Sequence, residues 1–128
     1  MAGEPPKPTE AELEILTVLW SIGPATVRDV HKVITGRRTA QYSTVLKFMQ
    51  IMAEKSLVRR DETERAHVYQ AARPREWTQK QLAGDLLTRA FNGSAKALLV
   101  GALSARKATK AELDEIRKLL NDYRKGKQ

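Results

Sequence analysis

Residues 39–55 read TAQYSTVLKFMQIMAEK. Within them Val45, Phe48, Met49 and Met52 recur at i, i+3, i+4 and i+7, one apolar stripe of an α-helix. Ser43, Lys47, Gln50 and Glu54 recur at i, i+4, i+7 and i+11 and make a second stripe, with Thr44 beside it. The first three of these, and Thr44, carry groups that hydrogen-bond base edges or phosphates. A helix with one face in a core and a short polar-to-basic face outside has the shape that enters the major groove of DNA. An ordinary amphipathic surface helix would show the same two stripes, so the flanking sequence has to decide between them.

Upstream, Thr26 to Ile34 predicts a second helix, with Asp29 as a weaker capping partner for Thr26 and Gly36 as its end. Val27, Val30, Val33 and Ile34 form its buried side, and Arg28 and Lys32 lie outside. The amides of its first turn, beside these cations, suit a phosphate. Arg37–Gln41 then makes a short connection to the helix of the opening stretch. Two short helices so joined, the second with an exposed polar face, form a helix-turn-helix. Further upstream, Thr9-x-x-Glu12 is a capping box for a first helix. Leu13, Leu16 and Trp20, with Ile15, Leu19 and Ile22 adjacent, give that helix a broad buried surface, and Gly23-Pro24 stops it. Trp20 at this spacing is a core residue. Residues 1–8, MAGEPPKP, are expected to be a loose tail and not a signal peptide.

Downstream of Lys55 the period changes. Leu57–Arg60 and His67–Gln70 are short β-prone runs around the polar Asp61–Ala66, which predicts a hairpin with a charged tip. Three helices followed by a hairpin make a winged helix-turn-helix over residues 8–73. On this reading Arg37, Arg38 and Arg65 hold phosphates, and Ser43, Thr44 and Lys47 enter the groove. Gln41, Tyr42, Gln50 and His67 complete the DNA-facing set.

Residues 74–128 predict a separate helical unit. Pro74 is placed at the first position of a fourth helix lined by Trp77, Leu82, Leu86, Leu87, Ala90 and Phe91, and Asn92-Gly93 ends it. Ser94 caps a fifth helix carrying Ala97, Leu98, Leu99, Val100, Ala102 and Leu103. Thr109-x-x-Glu112 boxes a sixth, and Lys125–Gln128 is expected to fray. Leu113, Ile116, Leu120 and Tyr123 follow the 3-4-3 spacing of a helix seam. About 55 residues in three helices bury little surface alone, so Leu82, Leu86, Leu98, Leu99 and this seam are expected to hold two copies together. A two-fold dimer would present two recognition helices to a palindrome. The fold class is thus mainly α: a winged helix-turn-helix followed by a three-helix dimerisation unit.

Composition agrees. The 128-residue chain carries a net charge of +8, which favours a polyanionic partner. Between Arg28 and Arg60 there are eight Lys/Arg against two acids, whereas residues 1–27 hold one Lys and four Glu. The basic patch is therefore local to the helix-turn-helix. Residues 74–128 have 12 Lys/Arg against 6 acids, spread along helices as solvated faces. With no cysteine and two histidines, neither a disulfide, a thiolate metal site nor a cofactor is expected. No apolar run is long enough for a membrane span, and the cytoplasm is the expected compartment. There is no nucleophile–base set, glycine-rich phosphate loop or carboxylate cluster, so an enzyme is not expected. The competing class is a winged-helix protein-interaction adaptor without sequence-specific DNA binding. The local charge and the polar stripe argue against it.

The succession PTEAELEILTVLW, ATVRDV, YSTVLKFMQIMAEKSLVRRDETERAHVY, FNGSAKALLVGAL and KAELDEIRKLL resembles the penicillinase/methicillin-resistance repressor family (BlaI/MecI type) over residues 8–123. The resemblance implies a homodimeric repressor on palindromic, double-stranded operator DNA. It also implies relief of repression by a signal protease that cuts an Asn-Phe bond in the fifth helix. Here the matching stretch is Leu99-Val100-Gly101-Ala102, with no such bond, and the paired Cys-x-Cys motifs of the copper-responsive branch are absent too. Where the family often has Gly, at the end of the third helix, this chain has Ser56, which tolerates a left-handed conformation less well.

Overall fold

The computed structural model describes residues 7–126. In chain order it contains α1 (Glu10–Ile22), β1 (Ala25–Thr26), α2 (Val27–Thr35), α3 (Tyr42–Glu54), β2 (Val58–Asp61), β3 (Val68–Ala71), α4 (Arg75–Ala90), α5 (Ala95–Ala105) and α6 (Lys110–Arg124). Two compact units result, one reaching to Leu82 and one starting at Ala83, so the division falls inside α4.

The first unit is the expected winged helix. Its core draws Ile15, Leu16, Val18 and Leu19 from α1, Val27, Val30 and Ile34 from α2, Val45, Met49 and Met52 from α3, and Val58 and Tyr69 from the sheet. Phe48, Val33 and Trp20 pack at its edge. On α1 the apolar surface is narrower than the sequence suggests: Val18 is fully buried while Ile22 is 46% exposed. Trp20 keeps one side wet because its indole Nε1–H must reach an acceptor, and it donates to the Arg73 carbonyl at 2.9 Å.

Local signals place the helix ends. Thr9 and Glu12 form a reciprocal capping box, and Gly23 closes α1 with a φ of 85° that a side chain would strain. On α2 the box between Thr26 and Asp29 is complete, at 3.1 and 3.2 Å, and so is stronger than expected. The end of α3 is a Schellman turn. The Leu57 amide donates to the Met52 carbonyl and the Ser56 amide to that of Ala53. Ser56 occupies the left-handed position with φ 65°, so the strain expected of a non-glycine residue there is present.

The wing differs from a simple hairpin. β2 and β3 pair antiparallel with Arg60 opposite Tyr69, each strand lying one residue later than expected. His67 therefore falls outside the ladder. A third strand, β1, pairs with the other edge of β3, giving the order β1-β3-β2. Two residues between Pro24 and a helix carry no alternation, so pattern reading could not find β1. It forms because β3 would otherwise leave a row of backbone groups unpaired.

The first half of α4 belongs to this unit. Pro74 sits one residue before the expected position: its carbonyl accepts from the Trp77 and Thr78 amides, which makes it the cap and not the first helical residue. Arg73 stacks over Trp77 at 4.7 Å and Arg75 over Trp20 at 5.9 Å.

The second unit holds the rest of α4 with α5 and α6. Ser94 caps α5 by accepting from the Ala97 amide at 3.0 Å. On α6, Thr109 accepts from the Glu112 amide at 3.0 Å, but the return bond from the Glu112 carboxylate is not formed, so only half of the expected box exists. Asn92 and Gly93 turn the chain after α4 with φ of 50° and 80°. The Phe91 ring lies against Gly101, where an added Cβ would meet it at 3.5 Å. No residue of α5 or α6 is buried.

Candidate nucleic-acid interface

Helix α3 turns two faces in opposite directions. Val45, Met49 and Met52 are 3% exposed or less, whereas Tyr42, Ser43, Thr44, Lys47 and Gln50 all lie open to solvent. Residues three and four apart on a helix are neighbours, so Ser43, Lys47 and Gln50 stand in one row. No acidic residue sits in the first turn of α3.

The two helix N-termini near this row are not equivalent. At α2 the Asp29 carboxylate and the Thr26 hydroxyl already occupy the first turn, and a carboxylate there disfavours phosphate. At α3 the cap position is held by Gln41, which makes no side-chain cap bond. The Thr44 and Val45 amides donate to the Gln41 carbonyl, and the positive end of the helix dipole lies beside the exposed Ser43 and Thr44.

The cations of the patch divide into two groups. Arg37 and Lys47 are exposed, and among the described residues neither side chain makes an ion pair or hydrogen bond. Arg38, expected to hold a phosphate, is instead engaged: Nη2 and Nε donate to the two carboxylate oxygens of Glu14 at 2.6 and 3.2 Å. That fork holds the Glu14 carboxyl below its usual range, the Arg38 hydrogen bond being the largest cause. Lys55 donates to both oxygens of Glu12 at 2.9 and 3.1 Å. Burial pushes the Glu12 carboxyl up, but the Thr9 amide and Lys55 together outweigh it and hold the group below its usual range. Arg60 pairs with Glu62 at 2.7 Å and leans on Tyr69. Three of the eight cations counted between Arg28 and Arg60 are thus matched by acids outside that window. The effective charge is about half of what the sequence count suggests, and the five cations left are spread over α2 (Arg28, Lys32), the turn (Arg37), α3 (Lys47) and β2 (Arg59).

The wing tip places Arg65 and His67 in the open. Around them stand Asp61, Glu62 and Glu64, and Asp61 is held by the Thr63 amide and hydroxyl at 2.9 and 2.8 Å. The tip is acidic on balance, so a phosphate there would meet Arg65 and three carboxylates together.

Sequence reading missed Glu12, Glu14 and His31 as parts of this region. His31 donates from Nε2 to the Ala40 carbonyl at 2.8 Å and sets its ring edge-on to Tyr42, 5.5 Å between centroids. Glu12 was visible only as a capping residue. Its partner lies 43 positions away, a distance at which spacing carries no signal.

The residues expected at a dimer seam lie in the second unit, Leu82 excepted. Leu86, Leu113, Leu120 and Tyr123 are 45–58% exposed, and Val100, Leu103 and Leu119 are open as well. Leu82, Leu98, Leu99 and Ile116 are half-buried. Among the described residues no helix is long and apolar enough to cross a membrane.

Residues 8–122 match the sequence profile of the family described as penicillinase repressor. The chain is 34% identical over 119 residues to the protein named transcriptional regulator BlaI in two strains of Mycobacterium tuberculosis, CDC 1551 / Oshkosh and ATCC 25618 / H37Rv. The match covers 91% of this chain and 85% of each relative. A solved structure of a MarR family transcriptional regulator from Silicibacter pomeroyi DSS overlays with a TM-score of 0.44 at 21% identity, covering 91% of this chain and 69% of that one.

Proposed function

Since the chain belongs to the penicillinase repressor family, a family of repressors and not of enzymes, we propose that it binds a palindromic operator as a homodimer and represses transcription there. The observation that carries this reading is the row Ser43, Thr44, Lys47 and Gln50, exposed beside the uncapped N-terminus of a helix whose other face is core. Lys47 donates to a base edge, Ser43 and Thr44 take base or phosphate contacts, and Gln41 and Tyr42 sit where the helix meets the backbone. Arg37 neutralises phosphate without reading sequence. Arg65 and His67 lie at the wing, where the acidic tip limits their contribution.

Two copies supply two such faces. The apolar side chains of the second unit support this, because a lone copy leaves large hydrophobics on every one of its helices in water. Pairing them removes that surface and sets the spacing between the two recognition helices.

The test is a fluorescence-anisotropy titration with duplex DNA from upstream of the chain's own gene, beside a random duplex, at two salt concentrations. Binding that falls with salt on both duplexes and is tighter by about 10³ or more on the upstream one supports sequence-specific recognition. Lys47→Ala is expected to cost about 1–3 kcal/mol on the upstream duplex and less on the random one. Equal affinity for the two duplexes, or an unaffected Lys47→Ala, would remove α3 as the reader.

A further inference from the structure

We propose that Glu14 and His31 are positioning residues that set where the recognition helix begins, and that Arg38 works with them and not as a phosphate contact. This rests on the DNA-binding reading above.

Where the structure defines a helix cap for α1, α2, α5 and α6, a threonine or serine side chain bonds the first turn; at α3 no side chain does so. The start of α3 is therefore not fixed by its own local sequence. Two side-chain donors, Arg38 in the turn itself and His31 on α2, act on two consecutive carbonyls of the turn that leads into it. Arg38 donates from Nη1 to the Thr39 carbonyl at 3.1 Å. His31 donates from Nε2 to the Ala40 carbonyl at 2.8 Å. Arg38 is itself gripped by the carboxylate of Glu14, 24 residues earlier on α1. The turn is thus tied to α1 through Glu14 and Arg38, and to α2 through His31. The His31 ring also braces Tyr42, the first residue of α3.

Packing holds the turn only in part. Ala40 lies against the core, but a partly open cavity of about 230 Å³ borders the turn, with Glu14, Arg38, Ala40, Val45 and Phe48 in its lining. The polar ties add to the single apolar anchor at Ala40. Three of the five N–H donors of Arg38 are committed and its charge is matched by Glu14. A phosphate would have to break that fork.

Base contacts and phosphate contacts should respond differently to loosening the ties. Hydrogen bonds to base edges weaken steeply with misalignment. Long flexible cations still reach a phosphate after a small shift. Loss of Glu14 or His31 should therefore reduce discrimination and leave nonspecific affinity alone.

The experiment uses the full chain as wild type, Glu14→Ala, His31→Ala and His31→Gln. Each is titrated with the upstream duplex and with a random duplex of equal length across a salt series. In parallel, hydrogen exchange at the Thr44 and Val45 amides is followed without DNA. Glu14→Ala and His31→Ala are expected to weaken the upstream duplex about tenfold with the random duplex and the salt slope unchanged. Exchange at Thr44 and Val45 should speed up about tenfold while the buried α1 residues keep their protection. His31→Gln retains a side-chain N–H for the Ala40 carbonyl and should restore most of both signals.

Tighter binding of Glu14→Ala to both duplexes, with a salt slope steeper by about one, would overturn the proposal: Arg38 would then be a phosphate contact that Glu14 restrains. Unchanged exchange in His31→Ala would overturn it as well. If the wild type failed to distinguish the duplexes, the DNA-binding reading would fall, and the exchange measurement would still decide whether the ties hold α3.

Discussion

The Glu12–Lys55 pair joins the start of α1 to the end of α3, and its two ends are unequal. The Glu12 side chain is 2% exposed and that of Lys55 34%. At 2.9 Å and an effective dielectric of about 20, the gross attraction is about 6 kcal/mol. Solvent reaching Lys55 and the desolvation of Glu12 cancel part of it. Lys55→Met strands a buried carboxylate that keeps only Thr9, whose amide lies 2.9 Å from Oε1. The expected loss is about 3 kcal/mol, the lower end of what breaking a buried pair costs. Glu12→Gln keeps an acceptor for Thr9 and releases a lysine that is already one-third in water, so about 1 kcal/mol is expected. The double variant should recover most of the Lys55→Met loss, since no buried charge remains. Urea unfolding at pH 7, with every variant at the same protein concentration, reads this out. With a slope of about 1 kcal/mol per molar, the Lys55→Met midpoint should fall by about 3 M. The pH dependence has a definite sign. The folded-state pKa of Glu12 is depressed below 4.5, so the stability it contributes is present above that value and is lost as pH falls through the folded pKa. In Lys55→Met the lowering by Lys55 is lost, the carboxyl protonates at higher pH than in wild type, and the gap to wild type should close on acidification. A Glu12→Gln loss equal to or larger than that of Lys55→Met would refute this asymmetry.

Three further outcomes are expected. Ser56→Gly should relieve the left-handed backbone at φ 65° and raise stability by about 0.5 kcal/mol after the added freedom of the unfolded chain is counted. Ser56→Val should lower it by about 1–2 kcal/mol, and thermal melts of the two variants check the sign. Leu120→Asp, at a position 50% exposed in one copy, should push a dimer toward monomer by about a hundredfold or more, because a charge in an apolar seam costs several kcal/mol. Sedimentation velocity reads the assembly, and a parallel operator titration should show affinity falling with it as the second half-site contact loses its high effective concentration. A wild-type monomer at tens of micromolar concentration would count against the dimer. Glu14→Gln should lose acid sensitivity arising from the depressed Glu14 carboxyl, with stability curves of variant and wild type converging as pH drops below that group's folded pKa.

Much of the first unit was legible in the chain because its signals are local. Val45, Met49 and Met52 at helical spacing define the inner face of α3, and the outer row follows from the same periodicity. Thr9-x-x-Glu12 and Thr26-x-x-Asp29 mark helix starts since a hydroxyl and a carboxylate three residues apart can satisfy two orphan amides, as both pairs do here. Gly23 marks a stop because φ 85° admits little else. The errors have a common origin. Lys55 and Arg38 count toward one basic patch by sequence, and each meets an acid 43 or 24 positions away that helix periodicity does not relate to it; Arg60 meets Glu62, just beyond the window of that count. Ile22 looks like core by composition, but as the last residue of α1 it is 46% exposed.

From its sequence alone the protein is a three-helix winged helix followed by three helices, with an outward polar row on the third helix. Periodicity, capping and turn residues act over a few positions and need no knowledge of the rest of the chain. Tertiary structure decided which charges remain available to a partner. It paired Glu12 with Lys55 and Glu14 with Arg38, added β1 to the edge of β3, and brought His31 onto the carbonyl that precedes the recognition helix. These are contacts between residues 9 to 43 positions apart, or with a strand, β1, that has no pattern of its own. Their energies depend on distance and burial, quantities that exist only once the helices have packed.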